Sequence, residues 1–142
     1  MSAQTTKLLI AGALLLHGLG HTGALGALIA HGRGHFTGFW RPARSWLFPT
    51  LAAPSARTVA SIFWVLSTLG FVAASMSFWG ILVPGETWRQ LAVASSIVST
   101  LGIALFWGTW PAFNTVAALA MNIAVLVTQL WLHWPPQAMF GR

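Results

Sequence analysis

Lys7 to Ala30 reads KLLIAGALLLHGLGHTGALGALIA, 24 residues with a single Lys at the start, no acid, and two histidines near the centre. As a helix rising about 1.5 Å per residue, it is long enough to cross a hydrocarbon core about 30 Å thick. His17 and His21 are four apart and stack on one helical face about halfway across. Gly12, Gly18, Gly20, Gly23 and Gly26 leave much of the surface nearly bare, so another helix or a flat ligand can approach closely. The polar tail MSAQTT and Lys7 ahead of an apolar run have the outline of a signal peptide. The run is longer than a usual signal core and lacks a clean small-x-small cleavage site before His31, so a retained transmembrane span is expected.

Composition extends this reading to the whole chain. The 142 residues are 56% hydrophobic and only 6% charged, with a mean hydropathy of +0.74; a soluble domain needs far more charge to cover its surface. One acid, Glu86, stands against seven Lys and Arg, for a net charge of +6. The basic residues are few and lie between apolar stretches, so the expected counter-charge is the lipid bilayer rather than nucleic acid. The absence of cysteine excludes disulfides, thiolate metal sites and thiol catalysis.

From the first span outward, segment 31–57 carries four arginines, three prolines and three glycines, which makes it a loop. It is also aromatic (Phe36, Phe39, Trp40, Trp46, Phe48), and Arg33, Trp40, Arg41, Arg44 and Trp46 have the character of a segment in the headgroup region. A short interfacial helix is expected near 44–51. A second span, 58–83, carries Ser61, Thr68 and Ser75 on one face and stops at Pro84-Gly85. Thr87 and Gln90 read as a capping box opening a third span, 88–107, with the small seam Ala92, Ser95, Ser99 and Gly102. Gly108 breaks the chain, Thr109 is placed to cap, and a fourth span, 110–134, ends at Pro135-Pro136. Trp79, Trp88, Trp107, Trp110, Trp131 and Trp134 fall at span ends as aromatic belts. Short second and third connections force antiparallel neighbours, so the expected fold is all-α, one domain over 1–142: a membrane-spanning up-down four-helix bundle.

Four spans put the termini and the 84–88 turn on one side with Lys7, Arg89 and Arg142. The first loop lies opposite with Arg33, Arg41, Arg44 and Arg57. The side richer in Lys and Arg stays inside, which points to a multi-pass protein of the inner membrane with a cytoplasmic first loop.

The histidines carry most of the available chemistry. His17 to His31 and His21 to His35 are both fourteen apart, nearly four helical turns. This spacing resembles that of membrane b-type cytochromes, whose paired histidines on Gly-rich helices ligate two haems; the resemblance implies His17, His21, His31 and His35 as candidate ligands to haem b, or to a chlorophyll-type pigment, which needs one imidazole. A matching second helix is missing, since the remaining histidine is His133. The plainer role for His17 and His21 is hydrogen bonding within the bundle. Asn114, Asn122, Gln129 and His133 fall within about 100° of arc on the fourth span and form a polar stripe suited to face them. The interfacial His31 and His35 are expected in solvent or among headgroups.

No Asp exists and Glu86 sits in a turn, so paired-carboxylate catalysis, carboxylate metal clusters and Ser-His-Asp triads lack their acid within the chain. The segment LLLHGLGH at Leu14 to His21, with the four-span layout, resembles small four-helix bacterial membrane proteins of the DoxX-like kind. Some of these accompany quinone-linked oxidoreductases. The resemblance implies a non-catalytic membrane subunit with His17 and His21 at the matching positions. The expected function is therefore a non-catalytic accessory or scaffolding subunit working with other membrane subunits or as a homo-oligomer. The alternatives are a haem- or pigment-binding electron-transfer protein and, after it, a binder or small transporter of a lipid-soluble substrate such as a quinone, using the polar stripe.

Overall fold

The computed structural model describes residues 2–35 and 38–136; Phe36 and Arg142 lie outside them. The described residues form four helices and no strand: α1 (Ala3–Gly32), α2 (Ala53–Ser77), α3 (Trp88–Leu105) and α4 (Ala112–Leu126), the last continuing as a π turn, Val127–Trp131. Each, with its adjoining turn, is long and apolar enough to cross a membrane. The chain is a multi-pass helical bundle. In it α1 packs on α2, α2 on α3 and, more thinly, α3 on α4, while α1 and α4 scarcely approach each other.

The helices begin and stop for local reasons. Ser2 caps α1 by accepting from the Thr5 backbone N–H at 3.1 Å, which starts the helix four residues ahead of the expected span. Gly34 (φ +75°) ends it: Gly34 N–H donates to His31 O and His35 N–H to Ala30 O, the paired bonds of a left-handed glycine stop. The same device ends α2 earlier than expected, at Ser77 rather than near 83. Gly80 (φ +63°) donates to Ser77 O and Ile81 to Met76 O. At its other end α2 starts earlier than expected, at Ala53, because Pro54 fits a first helical turn.

Three local expectations are corrected. Segment 44–51 forms turns, not an interfacial helix. Thr87 makes no side-chain cap; a 3₁₀ turn, Gly85–Thr87, precedes α3 and the Thr87 hydroxyl donates back to Pro84 O at 2.7 Å. Thr109 does not cap α4 either, whose cap position is Pro111; its carbonyl instead accepts from the Arg41 backbone N–H.

Packing is set by small residues. Ala92, Ser95, Ser99 and Gly102 are all buried, as the seam predicts. A Cβ on Gly18 would stand 3.0 Å from Phe71 Cβ, and one on Gly102 2.7 Å from the Trp64 ring and 2.8 Å from Phe63 Cβ, so neighbouring backbones meet closely at both sites. On the α2 seam, the Ser75 hydroxyl donates to Ala11 O on α1 at 2.8 Å. Buried apolar side chains fall into two groups, one around Trp64, Ile103 and Phe106 towards the first-loop end, the other around Leu14, Phe71 and Phe78 towards the termini. Between them lies a layer that is largely polar.

Gly102→Val should destabilise the bundle by roughly 1–3 kcal/mol, because the Trp64 ring has little room to yield. Gly12→Ala, where a Cβ meets nothing within 4 Å, should leave stability unchanged or slightly raised. Thermal unfolding followed by circular dichroism in detergent checks both; equal midpoints would contradict the packing described.

Candidate functional site

The polar layer is built around Asn122 of α4, which is fully buried. Its Nδ2 donates to Ser99 Oγ at 2.9 Å and Thr100 Oγ1 at 3.2 Å, both on α3. Its Oδ1, an acceptor only, faces His17 Nε2 on α1 at 2.8 Å. His17 must therefore carry its proton on Nε2 and donate it, which leaves Nδ1 of the neutral ring with an unprotonated lone pair. Ser99, having accepted from Asn122, directs its own proton to His21 Nε2 at 3.2 Å. With that direction the protons of His17, Asn122 and Ser99 all find acceptors, and the His21 proton lies on Nδ1, where it has no partner.

His21 sits in an aromatic box. Trp64 of α2 lies parallel to it at 5.8 Å between centroids, Phe71 nearly parallel at 6.0 Å, and Trp110 tilted at 5.4 Å. The His17 ring meets it edge-on at 5.0 Å. Rings on nearly every side leave His21 Nδ1 buried without a hydrogen-bond partner, and the same holds for Trp64 Nε1 and Trp110 Nε1. Buried polar groups in apolar surroundings normally find partners. Three unmet N–H donors in adjoining rings are therefore a feature of the site.

Because α1 and α4 do not pack along their lengths, a cleft of about 160 Å³ opens between them. His17, Gly20 and His21 form its α1 wall, Phe113, Asn114 and Ala118 its α4 wall, and Trp40 and Trp110 reach in from the connections. A Cβ on Gly20 would meet nothing, so that part of the wall is flat and open. A cavity of about 150 Å³ holds a benzene-sized ring. The enclosed part of the cleft matches one six-membered ring. His17 and His21 lie too close on one helix to hold a tetrapyrrole between them, and their Nε2 atoms are engaged, so the pair does not supply the two axial ligands of a haem b.

The other candidate residues are dispersed. His31, at the end of α1, donates from Nδ1 to Ala27 O at 2.9 Å. His35 follows the Gly34 stop and leaves the helix, so the His21–His35 pair does not share a helical face. Asn114 lines the cleft from an exposed position. Gln129 is buried but serves the opposite end: it accepts from Arg89 Nε at 3.1 Å and donates to Trp134 O at 2.8 Å, while Arg89 Nη2 donates to Pro135 O. His133 lies beyond the π turn at φ +50°, exposed, off the stripe that a continued α-helix would give. The four-residue stripe is thus split among three places. Arg33, Arg41, Arg44 and Trp46 are exposed at the first-loop end; Trp40 instead turns partly into the bundle. Trp88 and Trp110 are buried and leave the expected belts to Trp79, Trp107, Trp131 and Trp134. Trp64 and Thr100 are site residues that sequence reading missed. Trp64 is a large aromatic in mid-span rather than at a span end, the one signal that marks it. Among the described residues no group of three His, Asp or Glu could hold a metal ion.

Neither protein-family models, nor curated proteins, nor solved structures give a match to this chain.

Asn122→Ala should cost roughly 1–2 kcal/mol, since it removes three bonds from a low-dielectric layer. A double-mutant cycle of His17→Ala and Asn122→Ala should return a coupling of roughly 0.6–1.7 kcal/mol in detergent unfolding. A coupling of zero would show that His17 and Asn122 do not bond.

Proposed function

We propose that this is a non-catalytic protein of the inner membrane that binds the ring of a lipid-soluble, carbonyl-bearing molecule, of which a quinone is the type, in the cleft between α1 and α4. The observation that carries the reading is the pair of rings lining that cleft, His21 and Trp110, each with a buried N–H lacking a partner. A ring carbonyl supplies the acceptor these donors lack. The His17 Nδ1 lone pair beside them supplies an acceptor for a ligand hydroxyl, so both the oxidised and the reduced form of such a ring find complementary groups. The lateral gap opens towards lipid, from which such a molecule would come.

Support for the orientation comes from how the basic residues are used. Arg33, Arg41 and Arg44 are exposed at the first-loop end, whereas Arg89 at the other end is half-buried against Gln129 and Pro135 O. This favours a cytoplasmic first loop.

The accessory-subunit reading, in the manner of the DoxX-like proteins, is favoured by a separate observation. A Cβ on Gly12 or Gly26 would meet nothing within 4 Å, so the outer face of α1 offers bare backbone to a helix of another subunit or a second copy. The two readings are compatible, since the cleft and this face are different surfaces.

A short-chain benzoquinone titrated into the detergent-purified protein should bind saturably, one per chain, by calorimetry, and a ring hydrocarbon of equal size should not. Trp110→Phe keeps an aromatic ring but loses the N–H and should weaken binding roughly five- to tenfold. Equal binding of the hydrocarbon, or no effect of Trp110→Phe in a variant with unchanged helicity, would overturn the reading. For the outer face, Gly26→Leu should reduce the mass of the complex in native electrophoresis while leaving the unfolding midpoint in place.

A further inference from the structure

The first-loop end of the bundle carries a second feature, which touches the ring cleft at Trp110. Arg33, Arg41, Arg44 and Arg57 all lie at this end, and the chain's single acid, Glu86, lies at the other. No carboxylate side chain of the chain can neutralise them. The counter-anion comes from outside.

Two of these arginines belong to a shaped surface. Arg41 and Arg44, with Pro42, Trp107 and Thr109, line a chamber of about 400 Å³. Through Arg41, Trp107 and Gly108 it adjoins a second groove of similar volume, about 400 Å³. That groove is apolar: Phe39, Trp110, Ala112 and Val116 carry it down the first turns of α4. A cationic chamber joined to an apolar channel that runs along a membrane-spanning helix has the polarity of an amphiphile with an anionic head.

The surface is held in place rather than draped. Arg41 N–H donates to Thr109 O at 3.0 Å, tying the first loop to the α3–α4 turn. The Trp46 indole N–H donates to Ala104 O at the end of α3. Ala43 and Ser45 are buried on either side of the exposed Arg44, and Ser45 Oγ accepts from the Phe48 N–H. The left-handed Gly108 (φ +83°) turns the chain between the two lining segments. Exposed Phe39 and Trp107 lie beside the arginines, the aromatic character of a surface at headgroup depth.

We propose that this surface is a binding site for an anionic phospholipid, whose phosphate is held by Arg41 and Arg44 and whose acyl chain follows the groove past Phe39, Trp107 and Val116. Arginine suits the role because its planar fork matches phosphate oxygens. The site lies on the side assigned above to the cytoplasmic leaflet, where anionic lipids give the surface its negative potential.

The test is native mass spectrometry of the full chain in a mild non-ionic detergent, titrated with phosphatidylglycerol or phosphatidylcholine. One phosphatidylglycerol should be retained per chain and phosphatidylcholine should not. The double variant Arg41→Gln/Arg44→Gln should weaken retention roughly thirtyfold and Arg44→Gln alone roughly fivefold. Lys7→Gln removes an equal charge at the opposite end and should change nothing. Trp107→Ala should also weaken retention, through the acyl groove. Inorganic phosphate at millimolar concentration should not displace the lipid. The proposal is overturned if phosphatidylcholine is held equally, if Lys7→Gln weakens retention as much as Arg44→Gln, or if inorganic phosphate competes, which would make this a site for the free ion.

Discussion

The bundle depends on one amide. Asn122 is the point at which α1, α3 and α4 are joined, through His17, Ser99 and Thr100. The bond to His17 matters most, because α1 and α4 have little direct packing to hold them together. In water such a contact would contribute little, since each partner would exchange it for a solvent bond. In hydrocarbon there is nothing to exchange it for, and each interhelical bond is worth roughly 0.6 kcal/mol on average, with the alternative being an unsatisfied group in lipid. The apolar layers around Trp64 and Phe71 flank this polar level above and below and keep the network dry.

Much of this could be read from the chain because it depends on local periodicity. The apolar length of α1 decides that it spans. The spacing of Ala92, Ser95, Ser99 and Gly102 decides which face of α3 is buried, and Asn122 stands out as an uncharged polar residue in mid-span. What could not be read depends on contacts between elements or on single backbone torsions. Nothing in the spacing of α2 says that it stops at Ser77; the stop is made by Gly80 adopting a left-handed torsion that a glycine in lipid need not adopt, as Gly26 in α1 shows. Likewise, Gln129 and His133 leave the expected stripe because the helix opens into a π turn after Leu126, where Arg89 of α3 engages Gln129 and the chain beyond it. Trp110 reads as a belt residue from its place at a span end, yet Thr109 and Pro111 on either side direct the chain so that it enters the box around His21.

The two ends of the molecule solve the problem of charge in different ways. At the terminal end Arg89 is turned inward and spends its donors on Gln129 and Pro135 O, and Lys7 lies over the Trp79 ring at 5.2 Å. At the first-loop end Arg33, Arg41 and Arg44 remain outside, while Ala43 and Ser45, on either side of Arg44, are buried. Among the described residues, Lys7 and Arg89 at one end are engaged by the protein, whereas Arg33, Arg41 and Arg44 at the other are presented to the surroundings.

Both candidate binding surfaces meet at Trp110. Its ring lines the cleft shared with His17 and His21 and also the apolar groove that leaves the arginine chamber. It stacks at a tilt on Trp64, 4.6 Å between centroids, while its indole N–H has no partner. If helix packing were its sole purpose, a phenylalanine would fill much of the same space without stranding a donor, and the cost of a buried, unmet N–H falls on the folded state. That cost recurs in Trp64 and His21, side by side, in a protein that gives Asn122 and Gln129 three bonds each. Unmet hydroxyls also occur at Thr68 and Ser96, but His21 and Trp110 are the two unmet groups whose rings line the gap where α1 and α4 fail to close, and it is there that an acceptor brought in from the membrane would complete the structure.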